Sequence, residues 1–84
     1  MKYYCFYDVV TSEFGPLFAA INDADCKRKL AVSQRNNPYM ADLRLYYVGE
    51  CSQDTAVFSM PDGGKPVFIA NLTDFCSFEQ PVGA

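Results

Sequence analysis

Eighty-four residues make one small domain, and with half of them apolar or aromatic and 20% charged the chain is neither disordered nor collagenous nor a coiled coil. Ten acids against seven bases give a formal charge of −3, which argues against a generic nucleic-acid binder. Histidine is absent, so no Ser–His, Cys–His or His–metal centre can be assembled; carboxylates, Lys, Tyr and Cys remain as possible acids and bases, and the expectation is a non-enzyme without metal or cofactor.

Lys2 to Val10 is dense in aromatic and β-branched residues and predicts a strand. Thr11-Ser12-Glu13 suits a turn, and Phe14 to Ile21 predicts a second strand, paired with the first as a hairpin. Its Gly15-Pro16 opening confines it to an edge or an irregular start, because proline donates nothing to a ladder. Asn22 is a helix cap, with Asp23 and Asp25 in the first turn where the helix dipole favours acids. Cys26 and Leu30 share one face of that helix at i, i+4, with Ala31 beside them, and Asn36-Asn37-Pro38 ends it. Leu43 to Val48 alternates, with Leu43, Leu45 and Tyr47 on one side. A turn at Gly49 to Asp54 leads to a strand over Thr55 to Met60, with Ala56, Phe58 and Met60 together. Pro61 to Pro66, with Asp62-Gly63-Gly64 at its centre, predicts a hairpin turn between antiparallel strands. Val67 to Ala70 is a short last strand, and residues 80–84 form a loose tail.

The expected fold is therefore one α+β domain over residues 1–84, in the order β-β-α-β-β-β. A small antiparallel sheet of four to five strands carries one α-helix on one face. One helix covers one side only, and the aromatic load predicts a partner for the other. So small a domain with a bare sheet face is also expected to form a homo-oligomer.

The four cysteines, Cys5, Cys26, Cys51 and Cys76, contain no CxxC pair, which leaves a zinc ribbon or thioredoxin-like site unsupported. Asp8 cuts the first apolar run far short of a signal-peptide core, and no run approaches the roughly 18–20 apolar residues of a membrane span. These features predict a cytosolic chain with reduced, mostly buried thiols and no membrane contact.

Two apparent motifs carry little. Gly63-Gly64-Lys65 lacks the spacing and hydroxyl of a phosphate loop, and no helix follows it. Asp8 with Glu13, and Asp23 with Asp25, are turn and helix-start acids without a partner to split their pKa values. The charge distribution says more. Lys27, Arg28, Lys29, Arg35 and Arg44 fall in a stretch, Cys26 to Arg44, whose net charge is +4, while the rest of the chain carries −7. A local basic surface on an acidic protein follows, with a solvated helix face as the plain alternative. Tyr3, Tyr4, Phe6, Tyr7, Tyr46 and Tyr47 crowd two predicted strands, and alternation sends only one set of them inward. The other set suits base stacking or protein association.

The ordered landmarks are Tyr7-Asp8, Phe14-Gly15-Pro16-Leu17-Phe18, Asn22 to Leu30, Asn37-Pro38, Asp42 to Glu50 and Ala56-Val57-Phe58. Over residues 3–70 this series resembles the small nonstructural protein of gokushoviruses, the tailless single-stranded DNA phages of the Microviridae. The resemblance implies a phage accessory protein made in the host bacterial cytoplasm and associated with viral DNA replication, single-strand synthesis or packaging. Arg28 is the base that falls on the family's helix motif.

The leading expectation is a non-enzymatic phage protein that binds DNA, single-stranded rather than duplex. Lys27, Arg28, Lys29, Arg35 and Arg44 would hold phosphates, while Tyr4, Tyr46 and Tyr47 would stack on bases. The alternative is a protein-interaction module that engages a host replication factor or a phage assembly protein through the same aromatic sheet.

Overall fold

The structure, a computed structural model, describes residues 1–61 and 63–77; the tail expected at 80–84 and Asp62 of the glycine turn lie outside them. The strands are β1 (Lys2–Asp8), β2 (Glu13–Phe14), β3 (Phe18–Ala20), β4 (Leu43–Cys51), β5 (Phe58–Ser59) and β6 (Val67–Asn71). One helix, α1 (Asp23–Ser33), and two short 3-10 helices, Met40–Asp42 and Leu72–Asp74, complete the described chain. The α+β class, the antiparallel sheet and the single helix match the sequence reading, but six strand segments are present.

The six segments occupy four lanes. β1 and β4 form the centre and pair along nearly their whole length, from Lys2↔Glu50 to Asp8↔Leu43. β2 and β3 lie end to end on the outer side of β1, as Tyr7↔Phe14 and Tyr4↔Phe18 show. Gly15, Pro16 and Leu17 interrupt that lane, so the predicted second strand is indeed an edge, broken where proline cannot donate.

The far edge departs from expectation. Of the predicted strand Thr55 to Met60, only Phe58–Ser59 is extended. The Ser52 hydroxyl accepts from the Asp54 and Thr55 backbone, and Ala56 sits at φ +60°, so the preceding residues close a turn. Ala56 and Met60 are exposed rather than packed on a common face with the core. β5 and β6 both run antiparallel to β4, through Cys51↔Phe58 and Tyr47↔Val67, and so continue one another along its outer edge. The Gly63-Gly64 turn is therefore not a hairpin between antiparallel strands. It is an excursion joining two halves of one lane, with both glycines at positive φ and Gly64 N–H donating to the Pro61 carbonyl at 2.9 Å.

Helix α1 starts as its sequence dictates. The Asn22 side chain accepts from the Asp25 N–H at 2.8 Å, while the Asp25 carboxylate accepts from the Ile21 N–H at 3.1 Å. Cys26 and Leu30 are buried, and against them pack Tyr4, Ala20, Met40, Leu45, Leu72 and Cys76. Leu45 and Leu72 are fully enclosed, each such side chain contributing about 1.5–3 kcal/mol of transfer free energy. The core lies wholly between α1 with the 3-10 segments and one side of the sheet.

Candidate nucleic-acid interface

Strand alternation sends Tyr3, Cys5 and Tyr7 of β1 to the side away from α1. Directly opposite pairs share a face, so Tyr46 joins Cys5, Arg44 joins Tyr7, and Phe14 and Phe68 enter from the two edges. The rings touch. Tyr7 and Phe14 have centroids 4.7 Å apart, Phe14 and Tyr46 5.3 Å, Tyr7 and Tyr46 6.1 Å, and Tyr46 and Phe68 5.8 Å. Their tilted and edge-on geometry is the favoured one for aromatic pairs. Phe14 is 50% exposed and Phe68 49%, so the array keeps apolar surface in water. Arg44 is exposed beside it, the one charged residue among the described strand residues on this side.

Cys5 is 2% exposed although no helix covers it. It lies opposite Tyr46, between the lanes that carry Phe14 and Phe68, and burial pushes its thiol pKa up. The rings therefore make a thin second apolar layer. Further along β1, Tyr3 pairs with Phe58 at 5.9 Å. Gly49, opposite Tyr3, permits this: a Cβ there would fall 2.7 Å from the Phe58 ring and 2.6 Å from the Ser59 carbonyl.

The residues proposed from sequence separate. Tyr46 and Arg44 belong to the aromatic side. Tyr4 does not: it is fully buried in the core, its hydroxyl donating to Asp23 at 2.6 Å. Burial, reinforced by that carboxylate, pushes its pKa far above the ordinary phenol value. A stacking role for Tyr4 is excluded. Tyr47 is likewise turned to the core side, packed against Tyr4 at 5.6 Å with the Lys2 ammonium 5.9 Å over its ring. The tyrosines at 46 and 47 are neighbours on one strand, so they cannot share a face.

The helix bases stand on the other layer. Arg28 and Lys29 reach back to Asp25 at 3.0 and 3.1 Å. The Ile21 N–H and these two cations together hold the Asp25 carboxyl below its usual range. Lys27 is half-buried on α1, and Arg35 is exposed just beyond its end. The basic stretch of the sequence is thus divided: Arg44 accompanies the aromatics, and the other four bases do not. Phe14, Phe58 and Phe68 escaped the sequence reading as stacking residues because they lie on the short edge segments, whose pairing no local pattern reveals.

Cys26 and Cys76 are buried and Cys51 is half-exposed; with Cys5, all four thiols are free. Burial, aided by Asp23 and Asp25, pushes the Cys26 thiol up to about 11. No described helix is long and apolar enough to cross a membrane. Among the described residues, no three potential metal ligands cluster.

A protein-family model described as Phage ORF5 protein matches residues 1–75. No curated protein and no solved structure matches the chain.

Proposed function

This chain belongs to the phage ORF5 protein family, and on that premise we propose that it is a non-enzymatic accessory protein that binds single-stranded DNA in the infected host cell. Its work falls in viral genome synthesis or packaging. The ordered landmarks from Tyr7-Asp8 to Ala56-Val57-Phe58 support the finer assignment to the gokushoviruses.

The observation that carries the reading is the array of Phe14, Tyr7, Tyr46 and Phe68 on the uncovered side of the sheet, with Arg44 as its one charged strand neighbour. Unpaired bases offer flat π-faces to such rings, each stack contributing about 1–3 kcal/mol, and a guanidinium attracts the phosphate between them. Duplex DNA buries its base faces, so the site selects single strands. With one arginine and a net charge of −3, the binding is governed by stacking and depends little on salt.

Fluorescence anisotropy of a labelled oligothymidylate across a salt series tests this. Tyr46→Ala lowers affinity about 5- to 140-fold at every salt concentration, the loss of one stack, without changing the slope. Arg44→Ala flattens the slope of log affinity against log salt by about 0.7, one phosphate contact on a single strand. Lys27→Ala leaves both almost unchanged. Absence of binding to any oligonucleotide near 50 mM salt would refute the proposal.

The acidic net charge favours a second reading, in which the same side engages a host replication factor or a phage assembly protein. Capture of such a protein from infected cells by wild type but not by Phe68→Ala, with no oligonucleotide binding, would establish it.

A further inference from the structure

We infer that the single-strand surface extends past the array of Phe14, Tyr7, Tyr46 and Phe68 to the Tyr3–Phe58 pair, which stacks a further base, and that Gly49 is the positioning residue that lets Phe58 stand there. This rests on the single-stranded DNA reading and adds to it two contact residues and the stretch of backbone that places one of them.

The pair adjoins the array. Tyr3 lies two residues from Cys5 on β1, about 7 Å at the strand rise of roughly 3.3 Å per residue, and Tyr46 stands opposite Cys5. Phe58 comes from the far side of β4, where it stands opposite Cys51, two residues from Gly49 and so on the same side of the sheet. The two rings are tilted by 54° with centroids 5.9 Å apart, so neither lies flat on the other, and Phe58 remains 42% exposed.

Two unfavourable local features hold Phe58 in place, and neither leads to an enclosed ring. The turn before β5 closes through the Ser52 N–H donating to the Val57 carbonyl at 3.0 Å and the Ala56 N–H donating to the Ser52 carbonyl at 2.9 Å. It holds Ala56 at φ +60°, a left-handed conformation that an alanine side chain resists. Gly49 lies inside β4, where glycine weakens a strand. A Cβ there would fall 2.7 Å from the Phe58 ring and 2.6 Å from the Ser59 carbonyl, so a side chain at this position displaces Phe58 and β5. A residue held for packing alone ends enclosed, as Leu45 and Leu72 do. Phe58, set by a strained turn and a bare stretch of backbone, ends with its ring open to water, and backbone strain of this kind collects where a ligand is bound.

The test is fluorescence anisotropy of a labelled oligothymidylate of about 16 residues, the upper end of single-strand site sizes for a small domain. Thermal melting checks that each variant is folded. Phe58→Ala and Tyr3→Ala should each lower affinity about 5- to 140-fold, the loss of one stack. Phe58→Leu should lose as much, since leucine keeps apolar bulk without a π-face, while Phe58→Tyr should retain wild-type affinity. Gly49→Ala should match Phe58→Ala, and the double variant should bind no more weakly than Phe58→Ala alone, the non-additivity of a residue that acts through the ring. Wild-type affinity in Phe58→Ala, Phe58→Leu or Tyr3→Ala overturns the extended surface and leaves intact the single-strand reading, which Tyr46→Ala tests. Additive losses in the double variant, or a Gly49→Ala chain that no longer folds, overturn the positioning role of Gly49. Failure of wild type to bind removes the single-strand reading and this inference together.

Discussion

The two sides of this sheet are made from the same residue types and end in different states. On the side under α1, Tyr4 and Tyr47 join Leu45, Leu30 and Cys26, and the one phenol that is fully enclosed is satisfied by Asp23. On the other side Tyr7 and Tyr46 meet Phe14 and Phe68 in ring-to-ring contacts that bury Cys5 yet leave both phenylalanines half in water. Adjacent tyrosines at 46 and 47 fall on either side of that divide. Aromatic content by itself therefore does not distinguish core from surface; what does is whether a second layer completes the burial. A small domain with one helix can complete only one side, and the incomplete side is where association has most to gain.

If that contrast is right, equal truncations should have unequal costs. Leu45→Ala, in the fully enclosed layer, should destabilise the fold by about 3 kcal/mol in urea unfolding, the usual range for a buried leucine. Tyr4→Phe should cost about 1.5 kcal/mol, because it removes a hydrogen bond to a charged carboxylate while keeping the ring. Phe68→Ala on the open side should cost only about 1 kcal/mol, roughly one aromatic pair. Should Phe68→Ala prove as damaging as Leu45→Ala, the open side is a second core and no docking surface at all.

Titration sharpens the same contrast, since the groups shifted furthest up belong to the covered side. The Asp25 carboxyl is held below its unfolded value, so its stabilising contribution is present above about pH 4 and is lost as pH falls further. Asp25→Asn should lower the melting temperature near neutrality and weaken its fall on acidification. Cys26 and Tyr4 are shifted upward, so the folded state holds their protons longer than the unfolded chain does. Stability should therefore decline as pH rises from about 9 toward 11, and Cys26→Ala should blunt the first part of that decline. The smallest effect lies away from both sides. Ala56→Gly should raise stability by about 0.5 kcal/mol, since it relieves a left-handed alanine at some cost in unfolded-chain entropy.

Much of the fold was legible in the residues. Asn22 capping α1, Cys26 and Leu30 sharing one face of it, the alternation of Leu43, Leu45 and Tyr47, and the irregular edge at Gly15-Pro16 all follow from local chemistry. The reading failed at the far edge, where Thr55 to Met60 looks like a strand. There the turn closed by the Ser52 hydroxyl and the positive φ of Ala56 override the alternating pattern. The candidate site was half legible. Of the residues proposed from sequence, Tyr46 and Arg44 do lie on the uncovered side, whereas Tyr4 lies under α1, because an aromatic strand residue carries no mark of which side the helix will cover.

The sequence by itself determined the class of the fold: α+β, one capped helix, and more aromatic surface than one helix can bury. Those properties depend on residue type and on spacings of a few positions, which a linear chain contains in full. Only the tertiary structure decided which rings the helix covers, that Phe14 and Phe68 converge on Tyr46 from opposite edges, and that Arg28 and Lys29 turn to Asp25 while Arg44 stands with the aromatics. Side assignment depends on strand register and on the path of α1 over the sheet, and both are settled by contacts between residues far apart in the chain.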